Sequence, residues 1–128
     1  MYSNFILNRF QNLHNVGKIL NATISADVED KNTNSLLRVY LNVENNIITL
    51  AKFKCFGNVL TTVCADVLCD NLVNKNIEDI TSIGVGEILS FLGEVNDINA
   101  IEFVLSVINQ LVKEYNKKLE KENKHKNR

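Results

Sequence analysis

With 128 residues, of which 45% are hydrophobic, the chain has the length and composition of one domain with a single core. Its formal net charge of −1 excludes the strongly positive field typical of nucleic-acid-binding proteins, and no apolar run reaches the roughly 18 to 20 residues that cross a bilayer. The first residues are too polar for the apolar part of a signal peptide, so we expect a cytoplasmic protein with no nucleic-acid or membrane partner.

The first half of the chain passes from a helical pattern to extended ones. Ser3 is a suitable N-cap for a short amphipathic helix over residues 4–13, and Gly17 follows as a stop. Three segments then alternate apolar and polar residues, which predicts half-buried strands at 23–30, 36–43 and 47–56. The buried face of the third strand is expected to carry Ile47, Thr49, Ala51, Phe53 and Cys55. The short connection between the second and third strands predicts a β-hairpin.

After the third strand the apolar period changes from two to about 3.6, which predicts helices. Asn58 is a suitable N-cap for the first helix, which is expected to extend to about Val73. Residues 74–83 and 86–95 fit two shorter helices, and Asp97 opens a long final helix.

This order of elements, strands followed by helices, predicts an α+β domain in which helices cover one face of an antiparallel three-stranded meander. We expect one domain over residues 1–120. Residues 121–128 are dense in lysine and glutamate, so they are expected to form a frayed charged tail.

The chain has three cysteines and two histidines, so any thiol or soft-metal chemistry is expected to come from a short list: Cys55, Cys64, Cys69, His14 and His125. Cys55 shares the buried face of its strand, and Cys64 lies on the apolar stripe of the helix that follows. Cys69 is rotated from Cys64 by roughly 140° around that helix, so the two thiols are poorly placed to bind one ion. No zinc, iron-sulfur or thioredoxin spacing is present, which favours thiols that fill the core and form no disulfide.

Four segments, in order, resemble the IscU/NifU-type iron-sulfur cluster assembly scaffolds. Residues 12–17, Asn-Leu-His-Asn-Val-Gly, resemble the Asn-Pro-Arg-Asn-Val-Gly signature that ends the leader helix of the family. Residues 51–58, AKFKCFGN, are similar to the turn Ala-(Lys/Arg)-Phe-Lys-x-(Tyr/Phe)-Gly-Cys. Residues 72–80 and 108–118 resemble the next helix end and the final helix. The resemblance implies the same fold as the element order does.

The resemblance also implies a [2Fe-2S] cluster or zinc, bound by three cysteines and an aspartate or histidine. Matched position by position, the first ligand cysteine falls at Thr33, the second at Asn58, and the His-Cys pair at Asn99 and Ala100. The ligand aspartate falls at Ser35, although slack in the loop length allows Asp30 to take that place. Because none of the matched side chains is a thiolate, we expect no metal and no cluster.

Three functions stay open from the sequence. The first is a degenerate scaffold, not an enzyme, that acts through contacts with a cysteine desulfurase or another cluster-assembly protein. The second is a carrier of iron, a cluster or a persulfide that uses Cys55, Cys64 and Cys69. The third is an enzyme in which Asp30, His14 and Asn58 converge, although a histidine at a helix end more often caps or packs.

Overall fold

The computed structural model describes residues 2–126, and side chains only as far as residue 124. The elements in chain order are α1 (Asn4–Gln11), β1 (Ile24–Asp30), β2 (Ser35–Glu44), β3 (Ile47–Phe56), α2 (Val59–Leu72), a 3₁₀ helix (Ile77–Ser82), α3 (Val85–Leu92), α4 (Ile98–Leu105) and α5 (Val107–Lys126).

The three strands form one antiparallel sheet in the order β1-β2-β3. Asn45 and Asn46 turn the chain between β2 and β3 with φ angles of 52° and 66°, a conformation that asparagine tolerates better than most residues. One face of the sheet is buried: α2 packs on β3, and α5 packs on β1 and β2. The predicted α+β meander with helices on one face is therefore confirmed.

A register shift in the hairpin changes which residues of β3 face the core. The shift lies between Asn42 and Val43 of β2, and it leaves Thr49 of β3 without a residue opposite it. As a result Ile48 is fully buried, whereas Ile47 and Thr49 are exposed. The prediction that Ile47 and Thr49 face the core is wrong, because it assumed unbroken alternation along the strand.

Helix α2 is the centre of the core. It packs against β3, α1, α3 and α4, and ten of its 14 residues are buried, which is more than one apolar stripe provides. The helix begins after Asn58, whose side-chain oxygen accepts a hydrogen bond from the Thr61 amide at 2.8 Å. The predicted cap is therefore confirmed.

Four predicted helices differ in extent or type. The long helix expected from Asp97 is divided at Ser106 into α4 and α5, and the Ser106 hydroxyl donates to the carbonyl of Phe103 at 2.5 Å. Within the segment 74–83, only Ile77–Ser82 is helical, and it is a 3₁₀ helix. Helix α1 ends two residues earlier than predicted, and the helix predicted over 86–95 covers Val85–Leu92. Helix α5 continues to Lys126, inside the expected tail 121–128, of which residues 127–128 lie outside the described part.

Two other segments of the chain hydrogen-bond to the outer edge of β3. Asn15 accepts from the Phe53 amide at 2.9 Å, and the Gly17 amide donates to the Phe53 carbonyl at 2.9 Å. Further along, the Ile48 amide donates to the carbonyl of Lys75 at 2.9 Å. Among the described residues, no helix is both long and apolar enough to cross a membrane.

Candidate functional site

A pocket of about 40 Å³ lies where the ends of β1, β2, α2 and α4 meet. Its lining includes the four positions that the resemblance assigns to cluster ligands: Thr33, Asn58, Asn99 and Ala100. Asp30 ends β1 and Ser35 begins β2, and both also line the pocket. The fold thus brings residues from distant parts of the sequence to one place.

Hydrogen bonds within the pocket hold its loops in place. The Thr33 and Ser35 hydroxyl oxygens lie 2.9 Å apart and share a hydrogen bond across the turn from β1 to β2. Asp30 accepts from the Asn32 amide at 2.9 Å through one carboxylate oxygen. Asn58 uses its side-chain oxygen to cap α2.

Three further residues line the pocket that the resemblance did not indicate: Thr61, Asp97 and Phe103. Asp97 caps α4, where its carboxylate accepts from the Asn99 amide at 3.1 Å. The sequence did contain a signal for Asp97. This residue was predicted to begin the helix that carries Asn99, so it has to lie close to Asn99. Thr61 is buried one turn into α2 from Asn58.

The donor atoms of the pocket are oxygens and nitrogens from hydroxyl, amide and carboxylate groups, and no cysteine or histidine lines it. In the part of the chain that the structure describes, no three His, Cys, Asp or Glu side chains are grouped so that they could hold a metal ion. Iron-sulfur clusters require thiolate ligands, with imidazole in a few cases. The residues present therefore do not fit a [2Fe-2S] cluster.

None of the three cysteines lines this pocket. Cys64 and Cys69 are fully buried in α2. Burial, with smaller effects from Asp97 and Cys55, raises the pKa of the Cys64 thiol to about 12. Burial also raises the pKa of Cys69, whose charged neighbours are Asp66 and Asp70. Both thiols stay protonated at neutral pH, which is unfavourable for binding a metal.

Cys55 is half-buried and forms no disulfide, and it packs against the core with less cover than the two thiols of α2. It is near the end of β3, where the helices no longer cover the strand completely. Burial raises the pKa of its thiol, and a hydrogen bond with Thr62 opposes that rise. A Cβ atom on Gly57 would lie 3.5 Å from the Cys55 sulfur and 3.3 Å from Cγ2 of Thr61, so the turn into α2 is tight.

A buried carboxylate in the middle of α2 forms a second polar cluster, which the sequence reading missed. Asp66 is 0% exposed, and its carboxylate accepts from the main-chain amides of His14 at 3.0 Å and Asn15 at 2.8 Å. The Arg9 guanidinium donates to it from Nε at 2.6 Å. The sequence contained a signal for this cluster, because an acidic residue between apolar neighbours in a buried helix requires a polar partner.

The same cluster accounts for His14. Arg9 also donates to Asp70, and Nδ1 of His14 lies 3.5 Å from the Asp70 carboxylate. Asp70 is twelve residues beyond Asn58, which is about 18 Å along α2 at 1.5 Å per residue. The structure therefore separates His14 from the pocket that contains Asn58 and Asp30, and the convergence needed for the enzyme hypothesis is absent.

Comparison with known proteins gives consistent matches. The sequence model described as the NifU-like N terminal domain matches residues 1–122. The iron-sulfur cluster assembly scaffold proteins IscU 1 and IscU 2 of Archaeoglobus fulgidus are each 30% identical over 93 residues, which cover 73% of this chain and 61% of theirs. The IscU scaffold protein of Thermotoga maritima is 26% identical over 83 residues, or 65% of this chain and 58% of the relative. The matched region thus spans less than two thirds of each relative.

Two crystal structures share the fold. The N-terminal NifU-like protein of Brucella abortus superposes with a TM-score of 0.75 at 14% identity, over 91% of this chain and 94% of the other. The second is described as a putative iron-sulfur cluster assembly scaffold protein for the SUF system of Fervidobacterium islandicum. It superposes with a TM-score of 0.71 at 15% identity, over 87% of this chain and 96% of the other. At these identities the structures establish the architecture alone.

Proposed function

Because the chain belongs to the NifU-like N-terminal domain family, which includes iron-sulfur cluster assembly scaffolds, we propose that it takes part in cluster assembly without holding a cluster. In this role the chain is a degenerate scaffold that acts through protein contacts. We propose no catalytic activity for it. The expected partner is a cysteine desulfurase or another cluster-assembly protein, in the cytoplasm.

One observation carries this proposal. The four positions that the resemblance assigns to cluster ligands, Thr33, Asn58, Asn99 and Ala100, line one pocket, and every side-chain donor atom there is an oxygen or a nitrogen. The hydroxyl and amide groups are weak donors for iron and cannot replace thiolates. A protein that keeps the fold but has no thiol in this pocket can still present its surface to other assembly proteins.

The alternative, a carrier that uses Cys55, Cys64 and Cys69, has less support. Cys64 and Cys69 are fully buried and face different charged neighbours, Asp97 for the first and Asp66 and Asp70 for the second. Iron or sulfide would have to enter the core to reach either thiol. A carrier site would require α2 to open.

Anaerobic reconstitution tests the proposal. The protein is incubated with ferrous iron, sulfide and a reductant, and is then desalted. We expect no visible charge-transfer absorbance and no stoichiometric iron in the protein fraction. A chromophore that survives desalting and is lost in Cys64→Ser or Cys69→Ser would overturn the proposal and support the carrier.

A variant that restores the thiols is the matched control. Combining Thr33→Cys, Asn58→Cys and Ala100→Cys places three thiols around the pocket, with Asn99 and Asp30 beside them. We expect this variant to retain iron and acquire colour under the same conditions. If the variant also stays colourless while folded, the loss of ligands is not the reason why the natural chain lacks a cluster.

A further inference from the structure

A groove of about 530 Å³ lies on the sheet face opposite the helices, between β2 and β3. Its apolar lining comes from Leu36, Tyr40 and Phe56, and Lys18 and Lys54 contribute charge to its walls. It is separate from the pocket around Asn58, because the two share no lining residue.

The apolar side chains of the groove are unusually open to solvent. Phe56 is 74% exposed and Leu36 is 47% exposed, and the two residues are directly opposite each other in the β2–β3 register. Their side chains therefore form one continuous apolar strip at the end of the sheet. An exposed aromatic and aliphatic pair with a polar rim is typical of a protein-binding surface.

The charged residues that line the groove are all positive: Lys18, Arg38 and Lys54. Arg38 is paired with Asp27 through two hydrogen bonds of 2.5 and 2.7 Å. Lys18 and Lys54 have no ion-pair partner within the described residues. A local basic rim on a chain whose net charge is −1 indicates that the groove favours an acidic partner.

We propose that this groove binds an acidic segment of a partner protein, with one bulky apolar side chain held between Leu36 and Phe56 and carboxylates at Lys18 and Lys54. The proposal rests on the proposed function in one respect, that the chain acts through protein contacts. A second copy of the chain bound face to face is a poorer occupant, because it would bring the lysines of the two grooves close together.

Fluorescence anisotropy with short fluorescein-labelled peptides tests the proposal. The probe contains Asp and Glu around a single Phe. One control peptide has Ser in place of Phe, and another has Lys in place of the acids. We expect the acidic Phe peptide to bind about tenfold more tightly than either control, and we expect added salt to weaken it.

Variants of the protein locate the binding. Phe56→Ser and Lys54→Glu are each expected to weaken the acidic Phe peptide by about tenfold. Leu50→Ser, on the same sheet face but outside the groove, and Lys31→Glu, in the β1–β2 turn, are the matched controls and are expected to leave binding unchanged. All four positions are exposed, so circular dichroism should show the same folded spectrum for each variant.

Three results would overturn the proposal: no binding of the acidic peptide, equal binding of the basic one, or binding unaffected by Phe56→Ser. Self-association that Phe56→Ser abolishes would assign the groove to a second copy and would also overturn it. These measurements use neither iron nor sulfide. A failed peptide test is therefore distinguishable from a failed reconstitution test of the proposed function.

Discussion

A single buried carboxylate, that of Asp66, joins the segment after α1 to the middle of the central helix. Its two oxygens are saturated by the Arg9 guanidinium and by the main-chain amides of His14 and Asn15. An ionised group in the core is stable only when it is paired and hydrogen-bonded in this way. Asp66 therefore fixes the path of the segment that leads to Lys18.

Removing this carboxylate should destabilise the protein strongly. Asp66→Ala is expected to lower the free energy of unfolding by about 3–5 kcal/mol, because the amides of His14 and Asn15 lose their acceptor and Arg9 loses a buried partner. Urea denaturation followed by circular dichroism measures the change. The control is Asp70→Ala, which removes a half-exposed carboxylate of the same cluster and should cost only about 1 kcal/mol. Equal losses would contradict the role of burial.

Asp70 should make stability depend on acid pH. Burial alone would raise its pKa, but hydrogen bonds from Asn15 and Arg9, together with the positive charge on Arg9, hold the pKa of Asp70 below its usual value. This contribution is present above the unfolded pKa of about 4 and is lost as the pH falls through the lower folded pKa. The urea midpoints of the wild type and of Asp70→Asn should therefore differ at neutral pH and converge in acid. A constant difference would contradict this linkage.

The thiols should react in the order of their exposure. Cys55 is half-buried, whereas Cys64 and Cys69 are fully buried and have raised pKa values, so Ellman's reagent should modify Cys55 first. In Cys55→Ser, we expect labelling of the native protein to be slow and limited by unfolding. Rapid modification of two thiols in that variant would show that the core around α2 is open.

Individual elements were predictable where one local rule governed them. The strand limits of β3 and the cap of α2 follow from alternation and from the identity of Asn58. The register shift opposite Thr49 and the break at Ser106 were not predictable, because each depends on how neighbouring elements pack. Alternation and helical period describe one segment at a time and contain no such information.

The cap of α2 gives a test at the scale of this element. Asn58→Ala removes the acceptor for the Thr61 amide and is expected to cost about 1 kcal/mol of stability. Asn58→Asp keeps an oxygen acceptor at the same place and should retain most of that stability. Chemical denaturation of the two variants measures the difference. If Asn58→Asp is as unstable as Asn58→Ala, the cap is not the source of the effect.

At the scale of the whole molecule, the helices and the sheet share one hydrophobic core. Leu111 of α5 is fully buried in it, so Leu111→Ala is expected to lower the free energy of unfolding by about 2–5 kcal/mol. Far-ultraviolet circular dichroism and tyrosine fluorescence should report the same midpoint, as expected for one cooperative unit. Leu20→Ala, at a residue that is 80% exposed, should change stability by less than about 0.5 kcal/mol. Two separate transitions would contradict a single domain.

The candidate pocket was predictable from the resemblance, because ligand positions can be counted along matching segments, and Thr33, Asn58 and Ala100 do line one pocket. The groove at Phe56 was not predictable. Its walls come from a face of the sheet that alternation assigns only to solvent, and its basic rim includes Lys18, which reaches the groove from a separate segment. Charge and exposure at such a place depend on the assembled fold.

The hydrogen bonds along the outer edge of β3 restrict how a partner can bind. Many proteins recruit an extended peptide by adding it as another strand to an open sheet edge. Here the main-chain groups of Ile48 and Phe53 on that edge already pair with Lys75, Asn15 and Gly17 of the same chain. An incoming strand would have to displace both covering segments. The same pairing protects β3 from edge-to-edge aggregation, so recognition on this side of the molecule depends on side chains rather than on the backbone.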